Sequence, residues 1–180
     1  VSKWPNIANA ILFNLSWLAI VLTQSPVIAP LIVAVHLLLH YRVMPKGELR
    51  LIAGVTVGGA IIDQMLFKVG VFNLAGQPGL APLWMTCLWP VFATTLMHSF
   101  AVLQNRVLLA AACGAVGGSL SYIAGVRLSA MEFASPLWGP VIVGILWAAV
   151  FPLLLQIAAR LQDRRDALQS WSPPVRRAFD

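Results

Sequence analysis

The residues of this chain whose types could do chemistry are few: one aspartate deep in an apolar stretch, three histidines, and a serine beside one of them. Asp63 lies inside the apolar run 51–72, which is long enough to cross a bilayer. An ionised carboxylate at that depth costs roughly 2.5–3.5 kcal/mol, so it turns to a bundle interior and takes a partner. Two roles are open to it. With Arg127 it would form an ion pair that fixes helix register, or it would serve a substrate or proton site. His36 falls at the same depth, roughly 15 Å in against roughly 14 Å for Asp63 at ~1.5 Å per residue. Ser121 and Tyr122 lie close to this level, with Lys68 and Arg127 nearer the surface and Trp84 and Trp89 bracketing the same half. A second polar layer holds His98 and Ser99, with His40, Asn9 and Asn14, and with Thr94 and Thr95 one turn before His98.

The chemistry open to the second layer is proton transfer or a helix-end hydrogen-bond cluster. His98 would be a general base or acid and Ser99 a nucleophile or hydrogen-bond donor. Neighbouring residues on a helix diverge by about 100°, which makes them a poor dyad without help from another span. His36 and His40 share a helical face at i, i+4. The residues between them are Leu37, Leu38 and Leu39, so no glutamate follows as in the zinc-protease motif. Asp63 would be a third ligand only if spans two and three touch, and no metal is expected from the sequence. It also carries no G-x-S-x-G, phosphate loop or dinucleotide fingerprint, and names no cofactor.

The elements that must hold these residues are membrane spans. Of the 180 residues, 59% are hydrophobic and 10% charged, and the mean hydropathy is +0.84. A soluble domain carries about 25% charged residues. Six spans are expected, at 7–22, 27–43, 51–72, 81–103, 107–131 and 137–161, making an all-α bundle over 1–161 and a polar, basic tail over 162–180. The first run follows Lys3, lacks a small-residue cleavage site, and reads as a retained helix. Residues 73–79 break the helical pattern with turn residues.

Ten basic residues (Lys3, Arg42, Lys46, Arg50, Arg106, Arg160, Arg164, Arg165, Arg176 and Arg177) fall on one side, and Lys68 and Arg127 toward the other. The positive-inside rule then puts both termini in the cytoplasm. Lys68 is expected to snorkel, His40 to be interfacial, and Trp84, Trp89 and Trp138 to belong partly to an aromatic belt. The net charge of +6 reflects this topology, and no basic face interleaved with aromatics suggests nucleic acid. Cys87 and Cys113 read as small buried hydrophobes. Gly114, Gly118, Ser121 and Gly125 form one stripe and Gly54 with Gly58 another, for internal packing or for contact with a partner. The tail, closed by Ser172-Pro173-Pro174, reads as an anchor to anionic lipid or a docking segment.

Three segments carry a resemblance. They are Gly59-Ala60-Ile61-Ile62-Asp63; Pro82-Leu83-Trp84 through Trp89 to Phe92-Ala93-Thr94-Thr95-Leu96-Met97-His98-Ser99; and Gly117-Gly118-Ser119-Leu120-Ser121-Tyr122-Ile123-Ala124-Gly125. Together they resemble a family of small bacterial inner-membrane proteins, the domain of unknown function 2878, over nearly the whole chain, with Ser119 at a position where that pattern suggests proline. The resemblance implies no activity. It implies that Asp63, Trp84, Thr95, His98, Ser99, Tyr122 and Gly125 belong to the family's recurring pattern, and that the protein sits in a bacterial inner membrane. Six spans with a G-x-x-x-D segment in the third are similar, at the level of architecture alone, to substrate-capturing subunits of energy-coupling vitamin transporters and to the membrane component of the rod-shape machinery.

The function expected first is binding, with or without transport, of a small or lipidic ligand between helices, contacted by Asp63, Trp84, Trp89, Tyr122, Arg127 and His36. An enzyme acting on a lipid or isoprenoid through His98 and Ser99 is the second reading. An accessory subunit of a membrane complex, docking through the small-residue stripes or the tail, is the third.

Overall fold

In the computed structural model, residues 4–74 and 79–170 are described. Lys3, Gln77, Ser172-Pro173-Pro174, Arg176 and Arg177 lie outside them. The chain runs α1 (Trp4–Thr23), α2 (Ile28–His40), α3 (Glu48–Lys68), β1 (Phe72–Leu74), α4 (Leu83–Thr86), α5 (Leu88–Ala93), α6 (Val107–Leu128), β2 (Met131–Phe133) and α7 (Trp138–Ser170). Among the described residues four helices are long and apolar enough to cross a membrane, within α1, α3, α6 and α7. Two shorter apolar helical stretches cover Ile28–Val43 and Leu83–Ala93.

Local chemistry sets the ends of these helices. Ser25 Oγ accepts from the backbone N–H of Ile28 at 3.1 Å, capping α2 after a turn in which Gln24 takes φ 48°. Gly47, at φ 91°, turns the chain into α3 in a conformation that L side chains resist. At the far end of α3, Gly70 takes φ 74°. Val71 N–H then reaches Leu66 O and Gly70 N–H reaches Phe67 O, at 2.9 and 3.0 Å. This Schellman arrangement satisfies the last carbonyls of α3 and aims the chain into β1. There Phe72, Asn73 and Leu74 pair antiparallel with Phe133, Glu132 and Met131. The two three-residue strands are an exception to the all-helical expectation. They tie the end of α3 to the segment leaving α6, and Gln24 reinforces that side by accepting from Ala130 N–H at 3.0 Å.

The expected fourth span, 81–103, is not one continuous helix. It comprises two short helices, a run of turns over 94–100, and a 3-10 turn at Ala101–Leu103. Thr94 and Thr95 hydroxyls donate to the carbonyls three residues earlier, Val91 O at 2.8 Å and Phe92 O at 2.6 Å. Backbone bonds such as Thr95 N–H to Phe92 O and His98 N–H to Thr95 O likewise span three residues. Irregular backbone is tolerated in an apolar bundle where protein covers it, and Val91, Ala93, Thr94, Thr95 and Leu96 are all fully buried. This broken segment is the axis of the bundle.

Polarity is arranged inside out. Asn9, Ser16, His36, His40, Glu48, Asp63, Thr94 and Thr95 are buried. Large apolar side chains such as Leu38, Leu80 and Leu108, the last 88% exposed, face outward. A lone exposed leucine means little, but a whole apolar exterior around a polar interior is the pattern of a chain solvated by lipid. Trp138 is exposed, whereas Trp84 and Trp89, read with it as partly a belt, are buried. His40, at the end of α2, is buried.

Candidate functional site

The carboxylate of Asp63 is fully buried and held from two sides. Trp89 Nε1 donates to Oδ2 at 2.6 Å and Tyr122 OH to Oδ1 at 3.0 Å. The first bond depends on Gly59, one turn earlier on α3. A Cβ at that position would stand 1.9 Å from Trp89 Cδ2, so only glycine lets the indole lie against α3 with its N–H over Asp63. Gln64, the next residue, exchanges hydrogen bonds with the backbone of Ala81 at 3.0 and 3.2 Å. That pair fixes the start of the broken segment to the same turn of α3.

Trp147 reaches this point from α7 by a similar device. A Cβ on Gly118 would lie 2.4 Å from Trp147 Cγ, and one on Gly114 2.4 Å from Trp147 O. These glycines therefore bring α6 and α7 into backbone contact. Trp147 stacks on Trp89 with centroids 5.4 Å apart and planes 6° apart. Its own indole N–H is buried without a hydrogen bond of regular geometry. Gly54 and Gly58, by contrast, have nothing within 4 Å of an added Cβ. On α3 the close contact is made by Gly59 instead.

Between these groups lies a cavity of about 70 Å³. Trp17, Trp84, Trp89 and Trp147 line it together with Phe13, Phe92 and Tyr122, and Asp63 and Ser121 supply polar groups. Met131 of β2 and Gly125 of α6 complete the wall, and behind them Phe72 stacks on Tyr122 at 5.4 Å. An enclosure of indole faces around one carboxylate is suited to a cationic or hydrogen-bond-donating group with an apolar body.

The structure thus brings Asp63, Trp84, Trp89 and Tyr122 together and leaves two expected members out. Arg127 is exposed and lines neither the cavity nor the Asp63 hydrogen bonds. It follows Tyr122 by five residues, about 140° around the helix, so the face that meets Asp63 cannot also carry Arg127. The Asp63–Arg127 ion pair is replaced by the indole and phenol donors. His36 belongs elsewhere. Its Nδ1 is 2.9 Å from Ser16 Oγ and its Nε2 3.0 Å from Thr94 Oγ1. With both ring nitrogens engaged, a His36–His40 metal pair has no free donor on its first member.

The second polar group is assembled differently from the sequence expectation. His98 and Ser99 point to different partners. Ser99 Oγ donates to Asn6 O at 2.9 Å and also bonds Asn9 Oδ1, and Asn9 Nδ2 donates to Thr94 O at 3.1 Å. His98 turns to Glu48, its Nε2 3.2 Å from Oε1. His40 Nε2 lies 3.1 Å from Oε2 of the same carboxylate. His40 meets the His98 ring edge-on at 4.8 Å and the His36 ring in a stack at 6.3 Å. Glu48 is fully buried, and nothing in the sequence pattern singles it out. There it reads as a loop residue between Gly47 and Arg50, and only the left-handed turn at Gly47 folds it back onto α2. Ser16 carries no sequence signal either.

The model of the family described as "Protein of unknown function (DUF2878)" matches residues 6–153, which contain every residue of both polar groups. No curated protein and no solved structure matches the chain.

Proposed function

The chain belongs to the DUF2878 family, and for it we propose a polytopic protein of the bacterial inner membrane that binds a small or lipidic ligand between its helices. The reading is carried by one observation: a fully buried carboxylate whose hydrogen bonds come from an indole and a phenol, on a cavity walled by four tryptophans. Among the described residues no Lys, Arg or His forms a salt bridge with Asp63. A ligand ammonium would meet the carboxylate and the indole faces at once, and cation–π contacts are worth up to about 2 kcal/mol when desolvated. The cavity takes a head group, and an apolar tail would leave it between helices. Transport, or delivery to a partner, would follow from such binding.

The bundle is read as crossing the membrane six times, the two shorter helical stretches completing the set of four long helices, with both termini in the cytoplasm. The excess of Lys and Arg on one side supports this orientation. The ligand reading is tested on detergent-purified protein with a long-chain alkyltrimethylammonium as probe, followed by tryptophan fluorescence. Saturable binding is expected in the native chain and in His98→Ala, and its loss in Trp84→Ala. Binding lost in His98→Ala but kept in Trp84→Ala would move the site to the other polar group.

A further inference from the structure

We propose that His40, Glu48 and His98 form a binding site for a divalent first-row transition metal, with zinc as its simplest occupant. Three donors converge from three elements: His40 from the end of α2, Glu48 from the first turn of α3 and His98 from the turns over 94–100. Their ligating atoms all lie within 4.8 Å of one another. The carboxylate oxygens stand 3.1 Å from His40 Nε2 and 3.2 Å from His98 Nε2. Two ligands on a tetrahedral centre with bonds of about 2.0–2.1 Å are about 3.3–3.4 Å apart. The two His–Glu edges need to open by only a few tenths of an ångström to admit an ion, and the His40–His98 edge, within 4.8 Å, has to settle to the same length, adjustments that side-chain rotation can supply. The two imidazoles stand nearly perpendicular, at 87°, so their Nε2 atoms converge on Glu48 without ring overlap.

The hydrogen bonding of the trio is incomplete in a way that metal ligation would complete. Glu48 Oε1 is buried and, although His98 Nε2 is 3.2 Å away, it has no hydrogen bond of regular geometry. A buried acceptor left in that state costs free energy. Glu48 is fully buried, and among the described residues its charged contacts are the two histidines alone. These are cationic only when protonated, whereas a dication supplies the charge with both imidazoles neutral. Two imidazoles and one carboxylate select zinc, iron(II) or manganese over calcium and magnesium, which prefer all-oxygen shells. His98 is 12% exposed while Glu48 is fully buried, so the trio is reached from the side of His98. The site is separate from the Asp63 cavity, whose lining includes none of the three residues.

The test uses the full chain, purified in mild detergent with any affinity tag removed, stripped with chelator and titrated with zinc or cobalt(II). The expected result is a single saturable equivalent, the visible absorption bands of four- or five-coordinate cobalt(II), and a raised unfolding temperature. Glu48→Gln and His98→Ala are each expected to lose the stoichiometric equivalent and the cobalt bands, while His36→Ala keeps both. Should Glu48→Gln not yield monodisperse protein, His98→Ala decides, because its ring is the least buried of the three. Native protein that takes up no saturable equivalent, or binding unchanged in His98→Ala, would overturn the proposal. Neither result bears on alkylammonium binding at Asp63, so the two readings fail separately.

Discussion

Asp63 shows what a single residue type can and cannot announce. The cost of a carboxylate in an apolar stretch is enough by itself to mark Asp63 as bonded and inward-facing. The identity of its partners is only partly legible: of Arg127, Tyr122 and His36, the candidates by charge and depth, Tyr122 alone makes a bond. Arg127 and His36 are the basic candidates, but an indole and a phenol make the bonds. Tyr122 is within reach of a depth argument, whereas Trp89 looks like a belt residue. The phenol's share can be isolated. Tyr122→Phe keeps the ring stack on Phe72 and removes only the hydroxyl, leaving one buried carboxylate oxygen without its donor. A loss of roughly 1–3 kcal/mol in unfolding free energy is expected, read by chemical denaturation in detergent. An unchanged stability would mean that the bond contributes nothing to holding Asp63.

At the scale of elements, hydropathy locates the long helices well because lipid imposes a minimum apolar length. The fourth stretch escapes it. Residues 81–103 are apolar enough to pass as a span, yet Thr94 and Thr95 return their hydroxyls to the chain and Pro90 lies just before them. Hydropathy carries no information about such local competition for backbone carbonyls. The glycine stripe is legible on α6 at Gly114 and Gly118 but not at Gly125, and is misleading on α3, since spacing alone does not tell which glycine faces a neighbour. Gly59→Ala should force Trp89 off α3, because its Cβ would stand 1.9 Å from the ring. An overpacking cost of about 1–3 kcal/mol is expected, together with altered tryptophan emission. Gly54→Ala, with nothing within 4 Å, should be neutral within about 0.5 kcal/mol. Equal thermal unfolding of the two variants would contradict the packing described here.

Among the described residues an apolar shell surrounds a polar interior that includes the Asp63 cavity and the histidine–glutamate cluster, separated along the broken segment. The first group is partly readable because its members sit on predicted spans at one depth. The second is not, because Glu48 counts with the loop. That misreading comes from treating the start of α3 as surface when a left-handed turn at Gly47 folds Glu48 inward. The orientation of the shell is an independent prediction. Reporter fusions at Gln77 and Asp180 should give periplasmic and cytoplasmic signals respectively, and the reverse pattern would overturn the orientation.

The most direct test of the cavity as a ligand site compares a cation with a neutral amphiphile of the same chain length. Tryptophan fluorescence of the purified protein is titrated with an alkyltrimethylammonium and with the matching alkyl alcohol, in the native chain and in Asp63→Asn. Saturable binding of the cation to the native protein is expected, with weaker binding of the alcohol and loss of the difference in Asp63→Asn, since carboxylate and indole faces act together on the charge. Equal binding of cation and alcohol by the native protein, or a preference that survives in Asp63→Asn, would contradict that role for the cavity.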